Sequence, residues 1–421
     1  MLSKRLLLLS SKLGYQTRSF AEAARRLGVE VVFGTDRCRR LEDPWGDGAL
    51  ALRFDDPEAA AEAIEDLARR SPFDAVFALG DQPAPTAAYA ARRLGLPGNP
   101  IEAARNCSTK LRQREVLAAA GFPVPEFFSF RWDEPFEKVL ARVKFPCVIK
   151  PLTLSASQGV IRADNAAELA AAVRRIRALL ESPAVAASRH GELDRVLVER
   201  YISGAEVAVE GLLTRGRLRV LAIFDKPDPL DGPYFEETIY VTPSRLPQEV
   251  QAAIRDSAAR AARALGLAHG PLHAEFRIEN GRPWVLELQP RPIGGLCARA
   301  LRFGSRGIGL EELVLRHALD LAGADEEREA AASGVMMIPV PRSGIFEGVE
   351  GIEAAQATPG ITGIEITARP HDPVLAWPEG SSYLGFIFAR AEEPLQVEKA
   401  LREAHAKLGI VFRSELPIGR A

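Results

Sequence analysis

The residues with the clearest chemical potential fall in one stretch, His273-Ala-Glu-Phe-Arg-Ile-Glu-Asn-Gly-Arg-Pro-Trp-Val-Leu-Glu-Leu-Gln-Pro-Arg291. Asn280-Gly281 between two apolar runs is a hairpin turn signal, and register decides what the hairpin presents. A two-residue loop sets Glu275 and Glu287 on opposite faces. A three-residue loop, with one glycine in the left-handed region, sets both on one face with His273. The period of two then sends Glu287, Gln289 and Arg291 to the same side. On that register two carboxylates and an amide oxygen converge, with a guanidinium just beyond. Such hard oxygens suit Mg²⁺, which takes one or two carboxylates together with phosphate oxygens and water. The competing reading is a solvated edge hairpin with alternating charges. Against it, Glu287 sits within Trp284-Val-Leu-Glu-Leu, too apolar to face solvent throughout. The run also leads into Pro290-Arg-Pro-Ile-Gly-Gly, where Gly294 and Gly295 let backbone approach a ligand closely.

Lys150 ends the apolar strand Cys147-Val-Ile-Lys, where a lysine is poorly placed for solvent, so a buried anionic partner is expected. The following Leu152–Gly159 consists almost wholly of small residues, whose backbone N–H groups can form an anion nest. His190, His317 and His405 read as solvated. His371 lies beside Asp372, but no serine elbow accompanies it. The chain contains no GxxxxGK[ST], no kinase HRD/DFG pair and no HExxH, which sets those phosphate and metal chemistries aside.

The elements that must position these residues begin with short apolar runs alternating with Ala/Arg/Glu helical stretches. Strands are expected at Leu6–Ser10, Val29–Gly34 and Ala75–Leu79, and helices at Thr17–Leu27, Pro57–Arg70 and Pro85–Leu94. That rhythm means a parallel α/β sheet, without GxGxxG after its first strand. A single helix is expected over Ile101–Ala120, then strands Glu126–Phe130 and Cys147–Lys150, helix Ala166–Leu180 and a solvent loop Glu181–Glu192. Strands Val196–Glu199, Val207–Leu213, Leu218–Asp225 and Glu237–Val241 precede the helix Pro247–Leu265 and the hairpin. Beyond a hinge near Gly323–Gly334 the chain is again strand-rich, with one helix at Pro394–Leu408. At 421 residues the chain is long enough for about three domains at roughly 150 residues each. Lys+Arg 54 against Asp+Glu 56 gives a net charge of −2, which argues against binding nucleic acid through bulk positive charge. Four scattered cysteines (Cys38, Cys107, Cys147, Cys297) lack zinc spacing, so reduced thiols are expected, with Cys147 buried. Lys4-Arg5-Leu6 imitates a leader, but its apolar run is too short. A cytoplasmic protein with no membrane association is expected.

Taken in order, these motifs resemble those of the ATP-grasp superfamily, most closely its L-amino acid ligases and related carboxylate–amine ligases. The final family motif, Glu-x-Asn-x-Arg, is here Glu287-Leu-Gln289-Pro-Arg291, with glutamine in place of asparagine. The resemblance implies an α/β fold of four parts: an N-terminal parallel domain (1–100), a linker helix with the central lobe (101–198), a C-terminal lobe with the metal site (199–325), and a strand-rich subdomain (326–421). It implies ATP with Mg²⁺, or Mn²⁺, held by Glu275, Glu287 and Gln289. Lys110 and Lys150 then meet phosphates, and Ser155, Ser157 and Gly159 belong to a loop closing over them. Backbone at Glu199, Arg200, Tyr201 and Ile202 reads the adenine edge, and Glu206 accepts from the ribose. Arg291 and Lys150 are the implied catalytic groups. His273, Lys226, Glu236, Glu237, Gly294 and Gly295 are substrate-side candidates, and Glu210 shares a strand face with Glu206. The implied reaction joins a carboxylate to an amine through an acyl phosphate, with release of ADP. A homodimer is compatible with it. The rival readings are another ATP-grasp chemistry, such as a carboxylase or purine-pathway ligase, and a nucleotide-binding regulator with a weak site.

Overall fold

Leu6, Leu7, Leu8 and Leu9 are all fully buried, which only a strand covered on both faces permits. In the computed structural model, which describes residues 3–11, 14–36, 49–186 and 192–413, Arg5–Ser10 lies between two parallel neighbours, Glu30–Thr35 and Ala75–Leu79. The short strand Ala49–Ala51, which the sequence pattern did not reveal, completes this parallel sheet. Helices Tyr15–Arg26, Pro57–Arg70 and Ala84–Leu94 cover it. Asp56 caps the second of these by accepting from the Ala59 N–H at 3.1 Å, with proline at the first helical turn. The expected N-terminal α/β sheet is therefore present.

The expected helix over Ile101–Ala120 is two helices, Ile101–Asn106 and Lys110–Ala119. Thr109 interrupts it: its backbone is extended, and its hydroxyl accepts from the Arg112 N–H at 3.1 Å. The break puts Lys110 in a first turn rather than mid-helix.

A four-stranded antiparallel sheet follows, in spatial order Phe127–Arg131, Arg195–Arg200, Cys147–Pro151, Ile161–Ala163, backed by helix Ala166–Leu180. The expected loop after that helix contains a short helix at Pro183–Ala186; His190, like Cys38, lies outside the described residues. The largest sheet has eight strands: Arg282–Gln289, Gly270–Glu279, Ala205–Thr214, Arg217–Lys226, Ile239–Thr242, Ala332–Ile338, Gly385–Ala391 and Ile361–Ile366. Three strands beyond residue 326 thus continue a sheet begun before it. A small sheet of Pro373–Val374, Gly344–Glu350 and Gly409–Phe412 lies apart.

One core joins the first sheet to the largest one. Leu6, Phe20 and Phe77 share a cluster with Phe224, Phe303 and Phe386. Among the described residues, no helix is long and apolar enough to cross a membrane.

Candidate active site

A cavity of about 880 Å³ opens where the three sheets meet. Its wall takes Ser10 and Asp81 from the first sheet and its loops, Lys150 and Ser155 from the second, and Glu275 and Arg291 from the third. Of the residues singled out from sequence, Lys110, Lys150, Ser155, Ser157, Glu199, Arg200, Tyr201, Ile202, Glu206, Glu237, His273, Glu275, Glu287, Arg291, Gly294 and Gly295 line it. Gly159, Lys226, Glu236 and Gln289 do not.

The hairpin reaches its register by an unexpected route. Glu279 pairs with Arg282, so Asn280-Gly281 is a two-residue turn, which alone would separate the glutamates. A β-bulge at Leu286 then restores the phase: Phe276 faces Val285, but Glu275 faces Glu287, and His273 faces Gln289. Both carboxylates consequently share one face. Gln289 is buried and donates its amide Nε2 to Glu287 at 2.7 Å, which orients that carboxylate instead of bringing a third oxygen to the cavity. Its longer stem lets the amide fold back along the strand.

Lys150 has the buried anionic partner its position demanded, and the partner is Glu199, 3% exposed. Arg114 donates its Nε to the other Glu199 oxygen at 2.5 Å and is itself fully buried. Burial alone would raise the Glu199 pKa, but the two cations outweigh it and hold the carboxyl below its ordinary range. Burial pushes the Lys150 ammonium down, with Glu199 opposing. Arg114 carried no sequence signal, being one of two arginines in its helix. Lys110 donates to the Leu154 carbonyl at 2.7 Å and lies 3.5 Å from Glu287, linking the loop to the hairpin.

In that loop Ala156 and Ser157 both have positive φ, 56° and 53°. The backbone N–H groups of Ser155, Ala156 and Ser157 make no hydrogen bond among the described residues, which is the arrangement of an anion nest. Gly159 differs, because its N–H donates to the Pro378 carbonyl at 2.8 Å. Along Glu199–Ile202, the Arg200 and Tyr201 N–H groups are spent on the Glu126 and Pro146 carbonyls, at 2.9 and 3.1 Å. Of the Arg200, Tyr201 and Ile202 N–H groups, only that of Ile202 makes no hydrogen bond among the described residues.

Lys226 is hidden from the cavity by the carboxylates around it. Its Nζ lies 2.7 Å from Glu206, 2.5 Å from Glu237 and 3.1 Å from Glu275. These three glutamates are close enough to share a cation, and here the lysine takes that place. Its ammonium is held charged, since the glutamates overcome the burial that alone would lower its pKa. Glu206 is further bound by Arg277 Nε at 3.0 Å. Burial and then repulsion from Glu275 raise Glu237 to about 7. Glu236 turns away from the cavity; its Oε1 is buried without a partner among the described residues, and burial raises its pKa to about 7.

His273 pairs through Nδ1 with Glu210, whose other oxygen accepts from the Ile293 N–H at 3.1 Å. Burial would lower the imidazole, but Glu210 and Glu275 reverse this and raise it to about 9. Arg291 pairs through Nε with Asp81, a residue the sequence reading did not single out. Gly295 has φ +65°, and a Cβ there would lie 2.9 Å from the Phe386 ring. His317 is not solvated as expected: it stacks on His269 with centroids 4.7 Å apart, and burial pushes it to about 4. Nor is His405, which is half-buried and lowered by that burial. His371 is exposed and pairs with Glu347 at 3.0 Å.

Residues 143–300 match the family model of the ATP-grasp domain, 21–98 that of the ATP-grasp N-terminal domain, and 336–413 that of L-amino acid ligase C-terminal domain 2. The crystal structure of an L-amino acid ligase from Bacillus licheniformis superposes with a TM-score of 0.79 at 29% identity, over 98% of this chain and 99% of that one. A D-alanine–D-alanine ligase from Gloeobacter violaceus is 32% identical over 241 residues, 53% of this chain and 72% of the relative. The alanine–anticapsin ligase of Bacillus subtilis strain 168 is 25% identical over 295 residues, 66% of this chain and 62% of the relative. The chain spans less than two thirds of the length of several curated relatives it matches.

Proposed function

Because the chain belongs to the ATP-grasp family, we propose that it uses ATP to join a small carboxylate to a small amine, the two being amino acids or molecules of similar size. The observation that carries this reading is the convergence of two opposed sets on one cavity. Lys110, Lys150 and the free N–H groups of Ser155–Ser157 form one set and the cross-strand pair Glu275 and Glu287 the other, with Lys110 3.5 Å from Glu287. The first set suits the phosphates of a nucleotide. The second has the chemistry of a hard-cation site, with Gln289 fixing Glu287. Glu275 and Glu287 would hold Mg²⁺, or Mn²⁺, which when bound would neutralise phosphate charge.

The substrate carboxylate attacks the γ-phosphate, forming an acyl phosphate and releasing ADP. The amine then attacks the acyl carbon and phosphate departs. Positioning and electrostatics carry the phosphoryl step. Arg291, kept charged by Asp81, stabilises the oxyanion of the second step. His273 and Glu237 line the same cavity.

Pairwise screening of amino acids for ADP release, with products weighed by mass spectrometry, tests the reading. One ADP per amide is expected, with the product one water lighter than its two parts. Glu287→Ala should lower turnover by about a hundredfold or more, the order seen when a group stabilising transition-state charge is removed. Lys150→Ala should weaken nucleotide binding. ADP release that depends on bicarbonate and yields no amide would overturn the proposal.

A further inference from the structure

The loop that presents the Ser155–Ser157 N–H groups is held from outside its own lobe. Trp377 donates its indole N–H to the Ala156 carbonyl at 3.1 Å. Gly159 donates its N–H to the Pro378 carbonyl at 2.8 Å. Gln158 donates its amide to the Glu379 carbonyl at 2.7 Å. Three consecutive residues thus engage three of the four positions 156–159, from 221 positions downstream in two of the contacts.

The gripping turn is itself fixed. Trp377 is 7% exposed and packs on Tyr383 with ring centroids 4.9 Å apart. Glu379 receives both Nε and Nη2 of Arg175, the latter at 2.8 Å, on the helix behind the loop. Arg175 also donates to the Tyr234 hydroxyl at 2.5 Å. The gripped loop carries two non-glycine residues at positive φ, a conformation that persists only where the surroundings over-determine it. Gly159 contributes by its lack of a side chain, since a Cβ there would lie 2.9 Å from Pro151.

We propose that the turn Trp377–Glu379 is a latch on the phosphate-facing loop, with Trp377 as a positioning residue that keeps the nest of N–H groups aimed into the cavity. This rests on the nucleotide reading of the site. The latch sets how long nucleotide stays bound and how well water is kept from the activated carboxylate, although none of its three residues need touch either. It also gives the C-terminal strand region a part in the chemistry.

Trp377→Phe keeps the ring and its packing but removes the donor. The off-rate of a fluorescent ADP analogue and the KM for ATP should both rise about five- to tenfold, the worth of one hydrogen bond. ADP released per amide should climb above one as water competes for the activated carboxylate, while the thermal midpoint stays at the wild-type value. Glu379→Gln should act in the same direction, and the reversed pair Arg175→Glu with Glu379→Arg should restore the slow off-rate. Wild-type off-rates and an unchanged ADP-to-amide ratio in both single variants would overturn the proposal. So would faster release that merely tracks a lowered thermal midpoint and is not rescued by the reversed pair. If no amino-acid pair yields an amide, the ligase reading fails, yet the off-rates still decide whether the latch exists.

Discussion

Glu199 carries a cation on each oxygen, and that geometry explains why two charged groups can be buried so close to a nucleotide-sized cavity. Removing Glu199 leaves both buried cations without this partner, and breaking a buried pair in this way costs about 3–5 kcal/mol. The sequence called for an anion beside Lys150 but not for this one, because Glu199 is brought there by pairing of strands far apart in the chain. Glu279, at the hairpin tip, ties the hairpin to Arg200 and Ser203. Arg200 donates to it at 3.0 Å and Ser203 at 3.0 Å, and these bonds hold its carboxyl down to about 2. A carboxylate lowered in the folded state adds stability that is complete above its unfolded pKa of about 4.5 and is lost as pH falls toward 2. With partial solvent screening, the loss by pH 3 is about 1–2 kcal/mol. Urea unfolding at pH 6 and pH 3 should therefore show a smaller acid loss for Glu279→Gln than for the wild type. Parallel losses would remove this group from the acid response.

Two elements decide where the charged residues point, and each turns on a local feature of one or two residues. The hairpin shows what sequence periodicity can and cannot deliver. The turn signal at Asn280-Gly281 and the shared face of Glu275 and Glu287 were both legible. The bulge at Leu286 that reconciles them was not, because no residue type there announces it; its carbonyl is taken by Arg114, a contact set by tertiary packing. Three strands of the first sheet, unlike the partly exposed Ala49–Ala51, were legible for the opposite reason. Burial on both faces makes these strands continuous apolar runs, and the helices between them begin at proline and capping residues. At Thr109, by contrast, a capping residue was present, but the good helix formers Glu102–Arg105 before it and Lys110–Gln113 after it hid the break. The cap has a consequence for Lys110, which follows it directly. Thr109→Ala should destabilise the chain by about 1 kcal/mol, the usual worth of such a cap, and should weaken nucleotide binding by freeing the first turn. Thr109→Ser, which keeps the hydroxyl, should do neither. Chemical unfolding and nucleotide titration of both variants check this, and equal nucleotide affinity in the alanine variant would separate the cap from Lys110.

Across the whole molecule, the first sheet acts as one wall of the cavity and not as an appendage. Gln16 donates to the Ile293 carbonyl at 2.9 Å, Tyr15 meets Phe386 edge-on at 5.5 Å, and the two sheets share one apolar cluster. The near-neutral net charge of −2 hides this arrangement, since Lys110, Lys150 and Arg291 share the cavity wall with Glu199, Glu275 and Glu287. Motif order along the chain was enough to place Arg291 in the site. Its counterion was beyond reach of sequence, because Asp81 is 210 positions away and lies in the loop just past the end of an ordinary strand, Ala75–Leu79. That pair makes a prediction about division of labour. Burial would weaken the Arg291 charge, and Asp81 foremost among the neighbouring acids maintains it. Asp81→Asn keeps the shape of the contact but removes its charge, so Arg291 turns toward the remaining acids, Glu287 and Glu275. If Arg291 serves the oxyanion of amide formation, kcat should fall about tenfold or more while the KM for ATP stays within about twofold, the pattern of an interaction made only in the transition state. A KM for ATP that rises as steeply as kcat falls would instead assign Arg291 to holding the nucleotide.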